Sequence, residues 1–448
     1  MSNKNSFTEG KILSPLLLFA VPVLGSMILQ SLYGAVDLFI VGKYGITPDV
    51  SAVSTGAHVM SLLTQAIVGL SVGTTVMVGQ HIGAGRKDEA GKDIAGGIKL
   101  FTVIGIIMTA VVLMFSTPIC KLYNAPVQAF EQTNLYVIVC GIGLVFIIAY
   151  NVLGSIFRGI GDSRTPLLAV FIACVLNIGG DILFVKTLGL HAMGAALATT
   201  LSQAVSVIIC FFVIKKRGLP FEFGKESFKN TRNAVIGTIK MGAPIALSNV
   251  MVSFSFSVIM SLVNNLGVIE SASVGVAEKC CAFIMLVPSA FAQSLSAFVA
   301  QNVGARQIGR ANKGLRYCIM LSFSIAVVIA YISFFHGNIL TGIFTKDPLV
   351  IAGGWEYMKA YAIDVLLTSF FFCFTGYCNG RGYTTFVMAQ GIISAFCIRM
   401  PMSFLMSSIQ PVSLFKIGLA TPTASAAQVV AYIIFLSIIA KKSKQEVQ

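Results

Sequence analysis

The stretch GQHIGAGRKDEAGK, residues 79–92, is answered by AQNVGARQIGRANK, residues 300–313. Gln80, Gly83, Ala84, Ala90 and Lys92 recur as Gln301, Gly304, Ala305, Ala311 and Lys313, each 221 positions further on. Val53 keeps this register with Val274, and Gly159 and Gly161 of RGIGD keep it with Gly380 and Gly382 of NGRGY. Pro22 of AVPVL meets Pro244 of GAPIA one residue out of step. Self-similarity at one fixed separation is the mark of a duplicated unit. Each copy is almost wholly apolar, so the unit is a bundle of membrane helices rather than a soluble module. Secondary transporters build an alternating-access cavity from duplicated bundles of this kind.

Composition agrees. Hydrophobic residues make up 56% of the 448 and charged residues 11%, against roughly a quarter charged in ordinary soluble domains. Mean hydropathy is +0.87. The polar N-terminus MSNKNSFTEGK has no short apolar stretch ending in a cleavage site, so the first hydrophobic segment is expected to be a retained span.

A span needs about 20 mostly apolar residues. Twelve are expected: 13–41, 50–79, 93–116, 127–156, 165–186, 192–214, 234–264, 271–299, 313–336, 349–378, 383–407 and 417–440. The fold class is therefore an all-α membrane protein, twelve transmembrane helices in two parallel six-helix repeats around a central cavity. Spans 1–6 fall in an N-lobe, 1–214, and spans 7–12 in a C-lobe, 234–448, joined by the polar linker 215–233. An even number of spans per half returns the chain to its starting side, which makes the repeats parallel about an axis along the membrane normal.

Basic residues set the orientation, because short cytoplasmic loops collect Lys and Arg. With both termini cytoplasmic, most of the 31 basic residues lie inside, Arg86, Lys87, Lys215, Lys216, Arg217, Arg306, Arg310, Lys441 and Lys442 among them. Only Lys43, Lys121, Lys186, Lys346, Lys359 and Lys416 fall to outer loops and span ends. The formal charge of +14 thus sits beside anionic lipid head groups and needs no nucleic acid. The expected partners are a small organic substrate and the lipid bilayer, with the chain acting as a monomer in a prokaryotic cell membrane.

The ten cysteines fall mostly inside spans, as with Cys140, Cys174, Cys210 and Cys373, and read as small buried apolar residues. The four histidines show no metal-ligand spacing, and no GxxxxGK[ST] loop is present, which argues against an ATP-driven pump. No cofactor is expected. Clustered histidines and paired catalytic motifs are lacking, so an intramembrane enzyme is disfavoured.

The chemistry then falls to ionisable groups within the membrane, which are costly there and by default functional suspects. Of 17 carboxylates, two in the first half lie deep. Asp37 ends the stripe Ser26, Gln30, Tyr33, Asp37, whose spacing of 4, 3 and 4 keeps one helical face. Asp181 follows Asn177 by one turn on span 5. At 1.5 Å per residue Asp181 lies ~25 Å from the inner start of its span and Thr199 ~10 Å below the outer start of span 6, so they should meet in the outer half. Asp37 joins them if span 1 bends or tilts, and Pro22, lacking a backbone N–H, is where it can bend. The alternative for Asp37 is an interfacial carboxylate at a span end, and for Asn177 and Asp181 a structural hydrogen bond between helices.

These residues carry a resemblance. The chain is similar, over essentially its whole length, to the multidrug and toxic compound extrusion (MATE) transporters, in particular the prokaryotic branch with the DinF-like proteins. The likeness rests on the twelve spans in two halves, the duplicated QxxGA loops, RGIGDSRTP after span 4, GAALATTLSQ on span 6, and an Asp fifteen residues after a Pro in span 1. It implies substrate export driven by inward flow of Na+ or H+, with Asp37, Asn177, Asp181 and Thr199 as the cation-coupling site. The NorM-type branch carries a Glu on span 7 and an Asp on span 10, roughly where this chain has Val252 and Thr368, which confines the coupling site to the first half.

The second half holds Glu278, Lys279, Asp364 and Arg399, for which mutual pairing or snorkelling is the plain alternative. Gln30, Tyr33, Met251, Phe254, Met285, Phe370, Phe374 and Tyr377 are candidates for an adaptable substrate cavity, or else pack against lipid and neighbouring helices. A flippase for lipid-linked intermediates is the alternative function. Its members usually line a cavity with several basic residues, and only Lys279 and Arg399 qualify here. The major facilitator fold also has twelve spans, but QxxGA at both loops favours the MATE reading.

The orientation is testable. Cysteines placed in the linker 215–233 should resist a membrane-impermeant thiol reagent in intact cells while one near Thr345 reacts, and the reverse pattern overturns the cytoplasmic termini.

Overall fold

A bilayer offers no hydrogen-bond partners to exposed backbone, so a spanning chain must close its own backbone bonds as helices or barrels. The computed structural model describes residues 7–221 and 223–445, and twelve of its helices are long and apolar enough to cross a membrane. They are span 1 (Leu13–Tyr44), span 2 (Thr47–Gly83), span 3 (Lys87–Met114), span 4 (Val127–Ile160), span 5 (Arg164–Thr187) and span 6 (His191–Arg217), then span 7 (Arg232–Asn264), span 8 (Val268–Gly304), span 9 (Ile308–Phe335), span 10 (Pro348–Gly380), span 11 (Thr384–Ser408) and span 12 (Leu414–Lys442). The twelve expected stretches each correspond to one of these helices, most of which extend a few residues further.

Local chemistry explains the ends. Gly161, at φ +95°, stops span 4 in a left-handed conformation that glycine takes without strain. Asp162 Oδ1 then accepts from the backbone N–H groups of Arg164 and Thr165, at 2.9 and 3.1 Å, and starts span 5. Asp347 does the same for Leu349 at 2.9 Å and opens span 10 with Pro348 in its first turn.

Proline marks the interruptions. A proline removes the bond to the carbonyl four residues earlier. Span 3 ends at Met114 ahead of Pro118, the first segment of span 8 ends at Ile284 ahead of Pro288, and the first segment of span 12 ends at Gly418 ahead of Pro422. Pro22 and Pro244 instead lie within unbroken helices. Spans 5 and 11 each contain a π-helical segment, Ile182–Thr187 and Ser394–Arg399, which no sequence pattern announces.

The structure divides into two compact units. Unit 1 holds the described residues up to Ala246 together with Ala300–Gln307; unit 2 holds Leu247–Val299 and the described residues from Ile308 onward. The start of span 7 and the last turn of span 8 therefore go with the first six spans. Burial repeats with the duplication: the apolar windows of spans 2, 4, 8 and 10 are 50, 56, 56 and 61% buried, and every other span is at 39% or below. The second and fourth helix of each repeat thus form its core. Peripheral spans show apolar faces outward, such as Ile106, Ile107 and Phe212 in unit 1 and Val328, Tyr331 and Ile434 in unit 2. Continuous exposed apolar surface of this kind calls for lipid. Nine of the ten cysteines are buried as free thiols, and Cys397 is exposed.

Within unit 1 the two copies of the opening motif meet. Gly83 lies against the backbone of Gln301 and Gly304 against that of Gln80, a reciprocal contact in which neither position has room for a Cβ. Gln301 Nε2 donates to the Gly159 carbonyl at 2.8 Å, and Asn302 Nδ2 to that of Phe7 at 3.2 Å. Small residues are what let membrane helices approach this closely.

Gly83→Ala should therefore destabilise by roughly 1–3 kcal/mol, the usual cost of overpacking. Gly34→Ala, in span 1 with open space around it, should be near neutral. Thermal unfolding of the two variants in detergent checks this, and equal stability would mean that the crossing tolerates a methyl group.

Candidate functional site

Span 1 turns its polar stripe toward spans 4, 5 and 6. Tyr33 Oη donates to the Val170 carbonyl at 3.0 Å, Gln30 Nε2 reaches Tyr150 Oη at 3.5 Å, and Ser26 Oγ returns to the Pro22 carbonyl at 2.9 Å. Tyr33 is buried, whereas Gln30 is exposed. Asp37 completes the stripe and is 3% exposed. Thr199 Oγ1 donates to its Oδ2 at 2.9 Å, and Asn177 Nδ2 donates to its Oδ1 at 3.2 Å while lying 3.3 Å from Thr199 Oγ1. Spans 1, 5 and 6 are thereby joined through one carboxyl group. No break at Pro22 was needed to bring Asp37 to this place, since span 1 is helical from Leu13 to Tyr44.

Asp181 lies one turn beyond Asn177 and is fully buried. Neither of its oxygens, nor Asn177 Oδ1, accepts a hydrogen bond among the described residues. Its neighbour is Asp37, and the two carboxyls stand within hydrogen-bond reach, a contact that holds only when one of them carries a proton. A buried acceptor without a donor costs about 1–3 kcal/mol, and more when charged. Two carboxyl groups within reach of one another in a low-dielectric bundle also repel if both are ionised. With both ionised, the two carboxyls have no positive partner among the described residues, a deficit that a proton or a monovalent cation would reduce. Among the described residues no group of three or more His, Cys, Asp or Glu gathers to hold a metal. A cation here would draw on amide and hydroxyl oxygens as well.

Some of the surroundings escaped the sequence reading. Tyr136, Cys140 and Cys174 are electrostatic neighbours of Asp37. Gly180 sits against Ala198 and Gly194 against Phe184, drawing spans 5 and 6 together beside the site. The π-helical segment begins immediately after Asp181, and such segments are frequent at functional sites. The glycines were visible as small residues, but only the packing shows which neighbours they admit.

Two of the four histidines form pairs with carboxylates that their scattered positions did not suggest. His191 Nδ1 lies 2.8 Å from Asp49 Oδ2, and His81 lies 2.5 Å from Asp93 and 3.1 Å from Glu89. The second pair spans the turn between spans 2 and 3, twelve residues apart in sequence.

In unit 2 Asp364 and Arg399 are buried, Glu278 is half-buried and Lys279 is exposed. Of the cavity candidates there, Phe254 is exposed and stacks on Phe396 with centroids 6.3 Å apart, and Phe370 meets Phe323 at 5.3 Å. Phe374 and Tyr377 are buried; Tyr377 Oη donates to Asn312 Oδ1 and accepts from Arg381. Met251 and Met285 are half-buried.

Known proteins give this geometry its context. The MatE family model matches residues 22–183 and again 244–405, one match in each repeat. The chain is 25% identical over 427 residues to the probable multidrug resistance protein YoeA of Bacillus subtilis (strain 168), covering 91% of this chain and 90% of that one. It is 24% identical over 411 residues to the multidrug export protein MepA of Staphylococcus aureus (strain NCTC 8325 / PS 47), covering 90% and 89%. Its fold matches a multidrug resistance MATE family transporter of the MOP superfamily in an outward-facing conformation, with a TM-score of 0.91, 21% identity and 99% of each chain covered. A MATE crystallised with MaL6 gives a TM-score of 0.92 at 20% identity, over 99% of this chain and 100% of that one. A family model that fits both halves and a fold shared along the whole chain lead to one conclusion: this multi-pass membrane protein belongs to the MATE family of transporters.

Proposed function

We propose that the chain is a secondary active antiporter that exports amphipathic, cationic small molecules in exchange for Na+ or H+. The observation that carries this reading is the buried network of Asp37, Asn177 and Thr199 with Asp181 left without a hydrogen-bond donor beside it. A site of fixed negative charge inside a bundle is neutral only when a cation occupies it. Inward-moving Na+ or H+ and an outward-moving organic cation then satisfy the same requirement in turn, which is the logic of exchange. Occupancy biases the protein between outward-open and inward-open states by as much as the ion's affinity differs between them. The names of the relatives YoeA and MepA, which speak of multidrug resistance and export, support organic substrates. In this reading the termini are cytoplasmic, the chain works as a monomer, and the six-span halves on either side of the 215–233 linker act as its lobes.

Reconstituted vesicles with a Na+ gradient or a pH gradient, imposed separately, identify the coupling ion. Asp37→Asn and Asp181→Asn should each lower driven efflux to the level of protein-free vesicles while the protein still folds. Wild-type rates in both would remove the site from the mechanism.

Pro22 enters as a compliant point. Span 1 lacks a backbone bond there, so ion binding at Asp37 can move the outer part of the helix relative to the inner part. Pro22→Ala should slow transport more than it weakens substrate binding, and a normal rate at every pH would exclude a bend at this residue.

A further inference from the structure

Unit 2 encloses charges that the proposed exchange leaves unused. Asp364 on span 10 is 2% exposed, and Arg399 at the end of the π-helical segment of span 11 is 5% exposed. Glu278 on span 8 is half-buried, and its Oε1 is fully covered with no hydrogen-bond donor among the described residues.

The three groups are not equivalent. Arg399 Nη1 donates to Ser255 Oγ at 3.3 Å, and its guanidinium lies 4.4 Å over the Phe256 ring of span 7. Asp364 has Arg399 as its charge neighbour and Ser425 of span 12 as a hydrogen-bond partner. Asp364 is thus balanced by Arg399. Glu278 has no such balance. The groups that face it are Tyr357 and Tyr361 from span 10 and Cys281 from its own helix, none of them a cation. Lys279, next in sequence, is exposed. Tyr357 is a charge neighbour of both Glu278 and Arg399, and Tyr361 of both Glu278 and Asp364, so the two rings, 5.3 Å apart, belong to both ends of the cluster.

Charge bookkeeping gives the consequence. Two carboxylates share one guanidinium. Among the described residues Glu278 Oε1 and Asp364 Oδ1 are both covered without a donor, but Arg399 neighbours Asp364 while no cation faces Glu278, so the surplus negative charge falls on Glu278. Desolvating an ionised carboxylate without a partner costs several kcal/mol, and such groups neutralise instead. A metal cation is the poorer neutraliser here, because the Arg399 guanidinium repels it and too few oxygen ligands gather. We propose that Glu278 is a second proton-binding position of this protein, separate from Asp37 and Asp181, with Asp364 beside it under the counter-charge of Arg399. Its occupation needs no co-reactant: the carboxylate takes up one proton and releases it unchanged. The inference does not depend on which ion drives exchange in unit 1.

Infrared difference spectroscopy during a pH step reads this directly. The protein is the full chain in detergent carrying Asp37→Asn and Asp181→Asn, so that neither first-half carboxyl contributes. A carbonyl band of a protonated carboxylic acid should disappear on the alkaline step, shift when glutamate is supplied with labelled carboxyl carbon, and stay put when only aspartate is labelled. Glu278→Gln should abolish the band. Arg399→Gln should add a second band that moves with labelled aspartate, because Asp364 loses its counter-charge. The labelling arm retains Glu278 and so does not depend on how its variant folds. Absence of a titrating band, a band that follows aspartate labelling, or persistence of the band in a folded Glu278→Gln protein would overturn the assignment.

Discussion

The hydrogen bonds that Thr199 and Asn177 donate to Asp37 hold together much that follows. A carboxyl group buried among helices has no water to turn to, so its partners must come from neighbouring spans, and their positions fix how those spans approach. Spans 1, 5 and 6 meet at this group. Tyr33 to Val170 and Gln30 to Tyr150 repeat the pattern lower on the same face. Asp181 sets a second carboxyl against the first with no other donor among the described residues, and in the proposed exchange this is what makes the brace a site as well. A fully satisfied cluster would have no reason to bind an ion.

Close backbone approach is the second constraint. Membrane helices lack a hydrophobic drive toward one another and associate through packing and small residues. Gly83 and Gly304 show this at the duplicated motif, and Gly180 and Gly194 show it beside Asp181. Proline acts in the opposite sense by ending or interrupting spans 3, 8 and 12 four residues ahead of its ring. The helical framework is therefore punctuated by residues with no chemistry of their own, and chemical groups occupy the places that punctuation creates.

The two halves share a plan and differ in charge. The first gathers Asp37, Asp181, Asn177 and Thr199 with no cation among the hydrogen-bond partners of Asp37. The second places Arg399 beside Asp364 and leaves Glu278 apart. Duplication preserved the helix order and the buried positions of the second and fourth spans, while the ionisable residues diverged. The same scaffold thus offers two electrostatic environments, one with carboxyls and no positive partner among the described residues and one with an internal counter-charge.

The sequence by itself determined the class, the number of spans and the duplication, because hydrophobic length and a repeated register are local properties of a chain in a bilayer. It also singled out Asp37, Asn177, Asp181 and Thr199, since a polar stripe at helical spacing and a carboxyl deep in an apolar run are visible without coordinates. It was silent on the π-helical segments after Asp181 and before Met400, on the pairing of His191 with Asp49 and His81 with Asp93, and on the inclusion of the last turn of span 8 in the first unit. Each of these depends on which distant residues come to share a few ångströms, and helical periodicity says only which face a residue occupies. Tyr377 shows the difference: an aromatic group fit to line a cavity by type is buried, with its hydroxyl bonded to Asn312 and Arg381. Only the packing of helices against one another decides which polar atoms are satisfied and which are left open.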